Sequence, residues 1–90
     1  MTSSLPAPDT LTVYGAMWCG DCRRTKRLLD SREVTYNYVS LDDEPERADE
    51  ARAWSGRTNI PVVVFPDGEV FVEPSDKAMI DKMTATGLLA

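Results

Sequence analysis

The chain has 90 residues, 42% of them hydrophobic, with 10 basic against 15 acidic side chains and a net charge of −5. This is one small domain with a modest core, and its acidic balance argues against general nucleic-acid binding, which usually needs a basic face. No apolar run approaches the roughly 20 residues of a membrane span. Histidine is absent, which removes His-based acid–base catalysis, Cys–His proteolysis and His metal sites together.

Residues 1–9 read as a flexible tail and 10–90 as a single domain. The opening Met-Thr-Ser-Ser-Leu-Pro-Ala-Pro lacks the basic start and apolar stretch of a signal peptide, so the expected location is the cytoplasm. Leu11-Thr12-Val13-Tyr14 alternates as a first strand, and residues 15–18 form the loop after it. Cys19 opens a helix to about Asp30, with Cys22 and Thr25 on one side, Leu28 and Leu29 in its late turns and a narrow apolar stripe. Val34 to Leu41, rich in Tyr and Val, is the second strand. Asp42-Asp43-Glu44-Pro45-Glu46 starts a second helix by charge and by a first-turn proline. That helix runs through Ala48, Ala51 and Trp54, with Trp54 as core, and stops at Gly56.

Pro61 to Phe65 is the most apolar run, and its β-branched content makes it a buried strand. Pro66-Asp67-Gly68 turns the chain into a paired strand, Glu69 to Val72. Pro74-Ser75-Asp76 opens a last helix carrying Met79, Ile80 and Met83 and ending near Gly87. The order β-α-β-α-β-β-α predicts an α/β domain: a right-handed βαβ unit, then a hairpin closed by a helix. One four-stranded mixed sheet with helices on both faces satisfies every element. Nothing in the sequence calls for more than a monomer.

The two cysteines, the only ones, stand in Trp18-Cys19-Gly20-Asp21-Cys22, where strand gives way to helix. The first turn of a helix has unpaired N–H groups and a partial positive charge, so a thiolate, the reactive form, is favoured at Cys19. Cys22 lies less than one turn on and points more toward the core. Cys19 is therefore the expected attacking thiol and Cys22 the thiol that resolves a mixed disulfide. Gly20 lets a partner approach closely. Arg23, Arg24, Lys26 and Arg27 add positive charge, as a solvated face or as a docking surface. Asp21 works against the thiolate and makes the pair less oxidising. A zinc site needs about four ligands, which the chain alone lacks, and a disulfide over so short a loop stabilises little. No metal and no bound cofactor are expected.

Tyr14 and Trp18-Cys19-Gly20-Asp21-Cys22, then Thr58-Asn59-Ile60-Pro61, then Pro66-Asp67-Gly68, resemble the glutaredoxin family of the thioredoxin-like fold. Within it the chain is similar to the mycoredoxin-like glutaredoxins of actinobacteria. The resemblance covers about residues 10–86. It implies that Pro61 is a cis-proline facing Cys19, and that the backbone of Ile60 pairs with substrate like an added strand. An ordinary trans-proline opening the strand is the plainer alternative. By the same resemblance Trp18 and Tyr14 line the substrate groove, though Tyr14 packing on the sheet and Trp18 shielding the sulfur would also fit. Arg57 could meet a substrate carboxylate or be a loop charge.

The chain departs from glutathione-using members, which carry a lysine just before the cysteine motif and a Gly-Gly pair after the last strand. The implied activity is reduction of mixed disulfides between proteins and a low-molecular-weight thiol, mycothiol ahead of glutathione. The alternative is a dithiol electron donor to a protein such as ribonucleotide reductase or a peroxidase, recharged by thioredoxin reductase.

Overall fold

The computed structural model describes residues 7–89. Most of the expected tail, residues 1–6, lies outside it. The chain forms β1 (Thr12–Gly15), α1 (Gly20–Ser31), β2 (Asn37–Ser40), a 3-10 turn (Pro45–Arg47), α2 (Ala48–Ser55), β3 (Val62–Val64), β4 (Val70–Val72) and α3 (Asp76–Ala85). The four strands make one mixed sheet in the order β2-β1-β3-β4. β1 runs parallel to β2 and antiparallel to β3, and β4 is antiparallel to β3.

Side-chain alternation splits the core in two. Leu11, Val13, Val63 and Phe65 face one side, where Leu29 of α1 and Met79 and Met83 of α3 cover them. Tyr14, Val39, Val62 and Val64 face the other, where Ala51 and Trp54 of α2 cover them. Pro61 to Phe65 is buried throughout, as its apolar run requires. Helices thus lie on both faces, the arrangement of the thioredoxin-like fold.

The turns follow local chemistry. Gly56 ends α2 at φ 71°, a left-handed cap that glycine adopts without a Cβ clash. In the hairpin the Asp67 side chain accepts the Glu69 N–H at 2.9 Å, so the turn residue satisfies its own backbone. Ser75 caps α3 by accepting the Ala78 N–H at 3.1 Å.

Three of the boundaries that differ from the sequence reading have a local explanation. The second strand begins at Asn37, not Val34, because Val34 belongs to the closure of α1: its N–H bonds the Leu29 carbonyl at 3.0 Å. Glu33 makes that closure at φ 55° without the glycine that usually signals it. The acidic run 42–46 leads through a turn and a 3-10 segment, and the α-helix proper starts at Ala48. The fourth strand begins at Val70, since Glu69 belongs to the hairpin turn.

Candidate active site

β1, an inner strand of the sheet, delivers the chain through a short loop to the start of α1, and Cys19 is itself the N-cap of that helix. Its backbone is extended, and its sulfur accepts the Cys22 N–H at 3.3 Å. A sulfur thus takes the place that a serine or aspartate oxygen usually takes, answering one of the orphan donors of the first turn. The thiol also reaches the Ile60 carbonyl, as a donor at 3.9 Å. The Ile60–Pro61 peptide is cis, the geometry the resemblance implies. Cys19 is partly exposed, and Cys22, behind it, is 0% exposed. Both are free thiols.

Their environments separate their chemistry. Burial first, and then the hydrogen bond with Cys19, push the Cys22 thiol up to about 12, while a hydrogen bond with the Ala16 backbone pulls the other way. Cys22 is therefore protonated at neutral pH, and Cys19 is the sulfur that solvent and partners can reach. The pair can exchange disulfides in sequence, the outer sulfur first.

The loop before Cys19 is pinned at both ends of one residue. The Met17 N–H donates to Asp42 at 2.9 Å, the Arg23 guanidinium donates to the Met17 carbonyl, and the Cys19 N–H closes the turn onto Ala16 at 3.2 Å. This holds Met17 and Trp18 outward, 55% and 73% exposed. Trp18 is a projecting apolar surface next to the thiol and not a lid over it. Gly20 is exposed, and a Cβ there would meet nothing nearer than an Arg23 nitrogen at 3.8 Å.

Two of the expected binding residues sit elsewhere. Tyr14 is buried on the α2 face of the sheet, and its hydroxyl donates to Glu50 at 3.0 Å. The reason is parity: Val13 and Gly15 take the α1 side, so Tyr14 must take the other. A cleft of about 550 Å³ on that face, lined by Tyr14, Arg47, Glu50 and Trp54 among others, carries none of the cysteine chemistry. Arg57 lies in the loop after α2, its backbone tied to the Ser55 hydroxyl, and it lines a shallow cleft with Trp54, Val70 and Val72.

The basic face of α1 is largely engaged. Arg24 pairs with Asp21 at 2.9 Å and Asp76 at 3.5 Å, and it donates to the Pro74 carbonyl at 3.2 Å. Lys26 pairs with Asp30 at 3.0 Å. Asp21 therefore has a neutralising partner one turn along its own helix, which tempers its effect on the sulfurs. No group of three or more potential metal ligands occurs among the described residues. No helix among them is long and apolar enough to cross a membrane.

Residues 11–71 match the family model for glutaredoxin. A glutaredoxin-named protein of Mycobacterium tuberculosis is 32% identical over 66 residues, covering 72% of this chain and 79% of that one. The chain belongs to the glutaredoxin family. It is a thiol–disulfide oxidoreductase of the glutaredoxin and NrdH-like kind. The glutaredoxin-like protein NrdH of Salmonella typhimurium is 36% identical over 58 residues, 64% of this chain and 70% of that protein. The solved NrdH-redoxin of Escherichia coli superposes with a TM-score of 0.68 at 29% identity, over 81% of this chain and 92% of that one.

Sequence reading missed the role of Gly15 and Tyr38 in this site. A Cβ on Gly15 would lie 2.8 Å from the Tyr38 hydroxyl and 3.1 Å from the Cys22 sulfur, so both atoms border the space that a side chain at Gly15 would fill. Its place two residues beyond Val13, on the α1 side of the strand, is the one signal that could have pointed to it.

Proposed function

We propose that this chain reduces mixed disulfides between proteins and a low-molecular-weight thiol through Cys19, with mycothiol ahead of glutathione as co-substrate. The observation that carries this reading is the N-cap sulfur of Cys19, partly exposed, held by the Cys22 amide and set beside the Ile60 carbonyl. In the first step a bond forms between Cys19 Sγ and the small thiol's sulfur. The mixed disulfide breaks and the protein substrate leaves as its thiolate, which takes a proton from solvent. A second small thiol then attacks the adduct, forming the small-molecule disulfide and returning Cys19.

Trp18 and Met17 offer an apolar platform beside the attack point, Gly20 leaves room for approach, and the Ile60 backbone with Pro61 forms the opposite wall. The preference for mycothiol rests on what stands where glutathione users carry their binding residues: Met17 and Trp18 before the motif, and Val72-Glu73-Pro74-Ser75 after the last strand.

A second reading is a dithiol donor to a protein such as ribonucleotide reductase or a peroxidase, recharged by thioredoxin reductase. The burial of Cys22 directly behind Cys19 supports it, together with the likeness to an NrdH-redoxin described as having a thioredoxin-like activity profile. The two separate in one assay: NADPH-coupled reduction of mycothiol- and glutathione-mixed disulfides by wild type and Cys22→Ser. The first reading expects turnover with mycothiol in both proteins. Loss of activity in Cys22→Ser, with reduction of the oxidised wild type by thioredoxin reductase, moves the assignment to the second.

A further inference from the structure

Tyr38 stands in β2 opposite Val13, and its side chain packs on the α1 side of the sheet. Its hydroxyl is sealed from solvent and finds no hydrogen-bond partner among the described residues. A buried hydroxyl left unpaired carries an uncompensated desolvation cost, so native structures rarely keep one without a use. The direction of the hydroxyl supplies the use. It reaches past Gly15 to the point where a Cβ would sit, 2.8 Å from it, and the Cys22 sulfur lies 3.1 Å from the same point.

Cys22 has the complementary problem. It is fully buried, yet to close a disulfide it must become a thiolate, and a thiolate out of water needs donors. The Ala16 backbone supplies one such contact. The nearest charges do not help. Asp21 and Asp42 are negative, and Lys26 lies 5.9 Å over the face of the Tyr38 ring. The Tyr38 phenol is itself pushed up to about 12, by burial first and then by Cys22, so it keeps its proton and is able to donate it in a hydrogen bond.

We propose that Tyr38 is a positioning residue for the resolving step, its buried hydroxyl donating a hydrogen bond to the Cys22 thiolate as that sulfur attacks Cys19. In this step the Cys22 Sγ–Cys19 Sγ bond forms and the bond from Cys19 to the partner's sulfur breaks. The partner leaves as a thiolate and is protonated by solvent, and the Cys22 proton passes to the buffer. The inference rests on the dithiol use of Cys22, the second reading above. It adds the group that makes a buried resolving thiol competent.

The test is single-turnover reaction of the reduced protein with dithiobis(nitrobenzoate) across pH 6–9.5. Attack by Cys19 releases one coloured thiolate, and resolution by Cys22 releases a second. In the second phase Cys19 is locked in a disulfide, so Cys22 is the thiol whose deprotonation the release reports. Removing a hydrogen bond to a charged group lowers the thiolate fraction about tenfold. Greater intrinsic nucleophilicity returns about half of that on a logarithmic scale. Tyr38→Phe should therefore slow the second release about threefold at pH 7.5 and throughout the range in which that rate rises with pH, with the first release unchanged.

Uniform 3-fluorotyrosine, a stronger donor of the same shape, should move the second phase the opposite way, and Tyr38→Phe should abolish that response. The fluorinated protein carries the test if Tyr38→Phe does not fold. An unchanged rate and pH profile of the second release in either protein overturns the role of Tyr38. Release of a single equivalent by the wild type instead overturns the dithiol use of Cys22, a different outcome that Cys22→Ser calibrates.

Discussion

Gly15→Ala is the substitution that probes the packing behind the thiols most sharply. The added carbon would stand 2.8 Å from the Tyr38 hydroxyl, 3.0 Å from Cys22 Cβ and 3.1 Å from Cys22 Sγ. The hydroxyl sits at the end of a ring wedged against α1, and Cys22 Cβ is fixed to the helix backbone, so neither can step aside cheaply. Overpacking of this kind costs about 1–3 kcal/mol. Alanine recovers roughly 0.5–1 kcal/mol through the lower entropy of its unfolded chain. A net loss of about 1–2 kcal/mol lowers the melting temperature by roughly 5–15 °C for a domain of this size. Thermal denaturation of the reduced protein by circular dichroism measures it. In Tyr38→Phe the same substitution should cost about 1 kcal/mol less, because one of the three contacts is gone. An equal or higher melting temperature for Gly15→Ala, or no relief in the double variant, would refute the packing described here.

Three further outcomes follow from the fold. Ser75→Ala removes the oxygen that accepts the Ala78 N–H and should cost about 1 kcal/mol, read as a fall in urea midpoint with unchanged slope. Glu73 sits at φ 50°, a left-handed conformation that costs a side-chain-bearing residue about 1 kcal/mol or more, so Glu73→Gly should raise the melting temperature by a few degrees. The Arg47 guanidinium first, and the Tyr14 hydroxyl after it, hold the Glu50 carboxyl below its usual range against the effect of burial. The folded protein therefore binds that proton less tightly than the unfolded chain. The stabilisation is complete above the unfolded value of about 4.3 and is lost as pH falls through the lower folded value. Glu50→Gln should flatten the acid limb of melting temperature against pH, and an unchanged limb would contradict this.

Much of the site was readable from residue order because its chemistry is local. A Cys-x-x-Cys run placed where a strand meets a helix already dictates an outer, capping sulfur and an inner, buried one, and Cys19 and Cys22 take those places. Gly56, Asp67 and Ser75 act within a few residues of themselves and are legible for the same reason. What sequence could not give was which face of the sheet receives which helix. Alternation groups Leu11 with Val13 and Thr12 with Tyr14, but both faces are buried here, so nothing local said that Tyr14 turns away from the thiol. Tyr38 illustrates the converse. Its link to Cys22 depends on the parallel register of β2 beside β1 and on a missing side chain at Gly15, and no spacing along the chain encodes either. Val34 to Tyr36 has strand composition, yet it closes α1 and turns toward β2 because Glu33 adopts a left-handed conformation without glycine to announce it. The charges on α1, in contrast, pair at the three- and four-residue spacings that a helix allows, Arg24 with Asp21 and Lys26 with Asp30.

The most direct test of the central claim is to trap the first intermediate. Reduced Cys22→Ser is mixed with a mycothiol-modified protein disulfide, quenched within one turnover and digested for mass spectrometry, with Cys19→Ser run in parallel. The account predicts the small thiol covalently attached to the peptide holding Cys19, formed at the wild-type rate, and no adduct in Cys19→Ser. Reduction of the substrate by Cys19→Ser at the wild-type rate would contradict it.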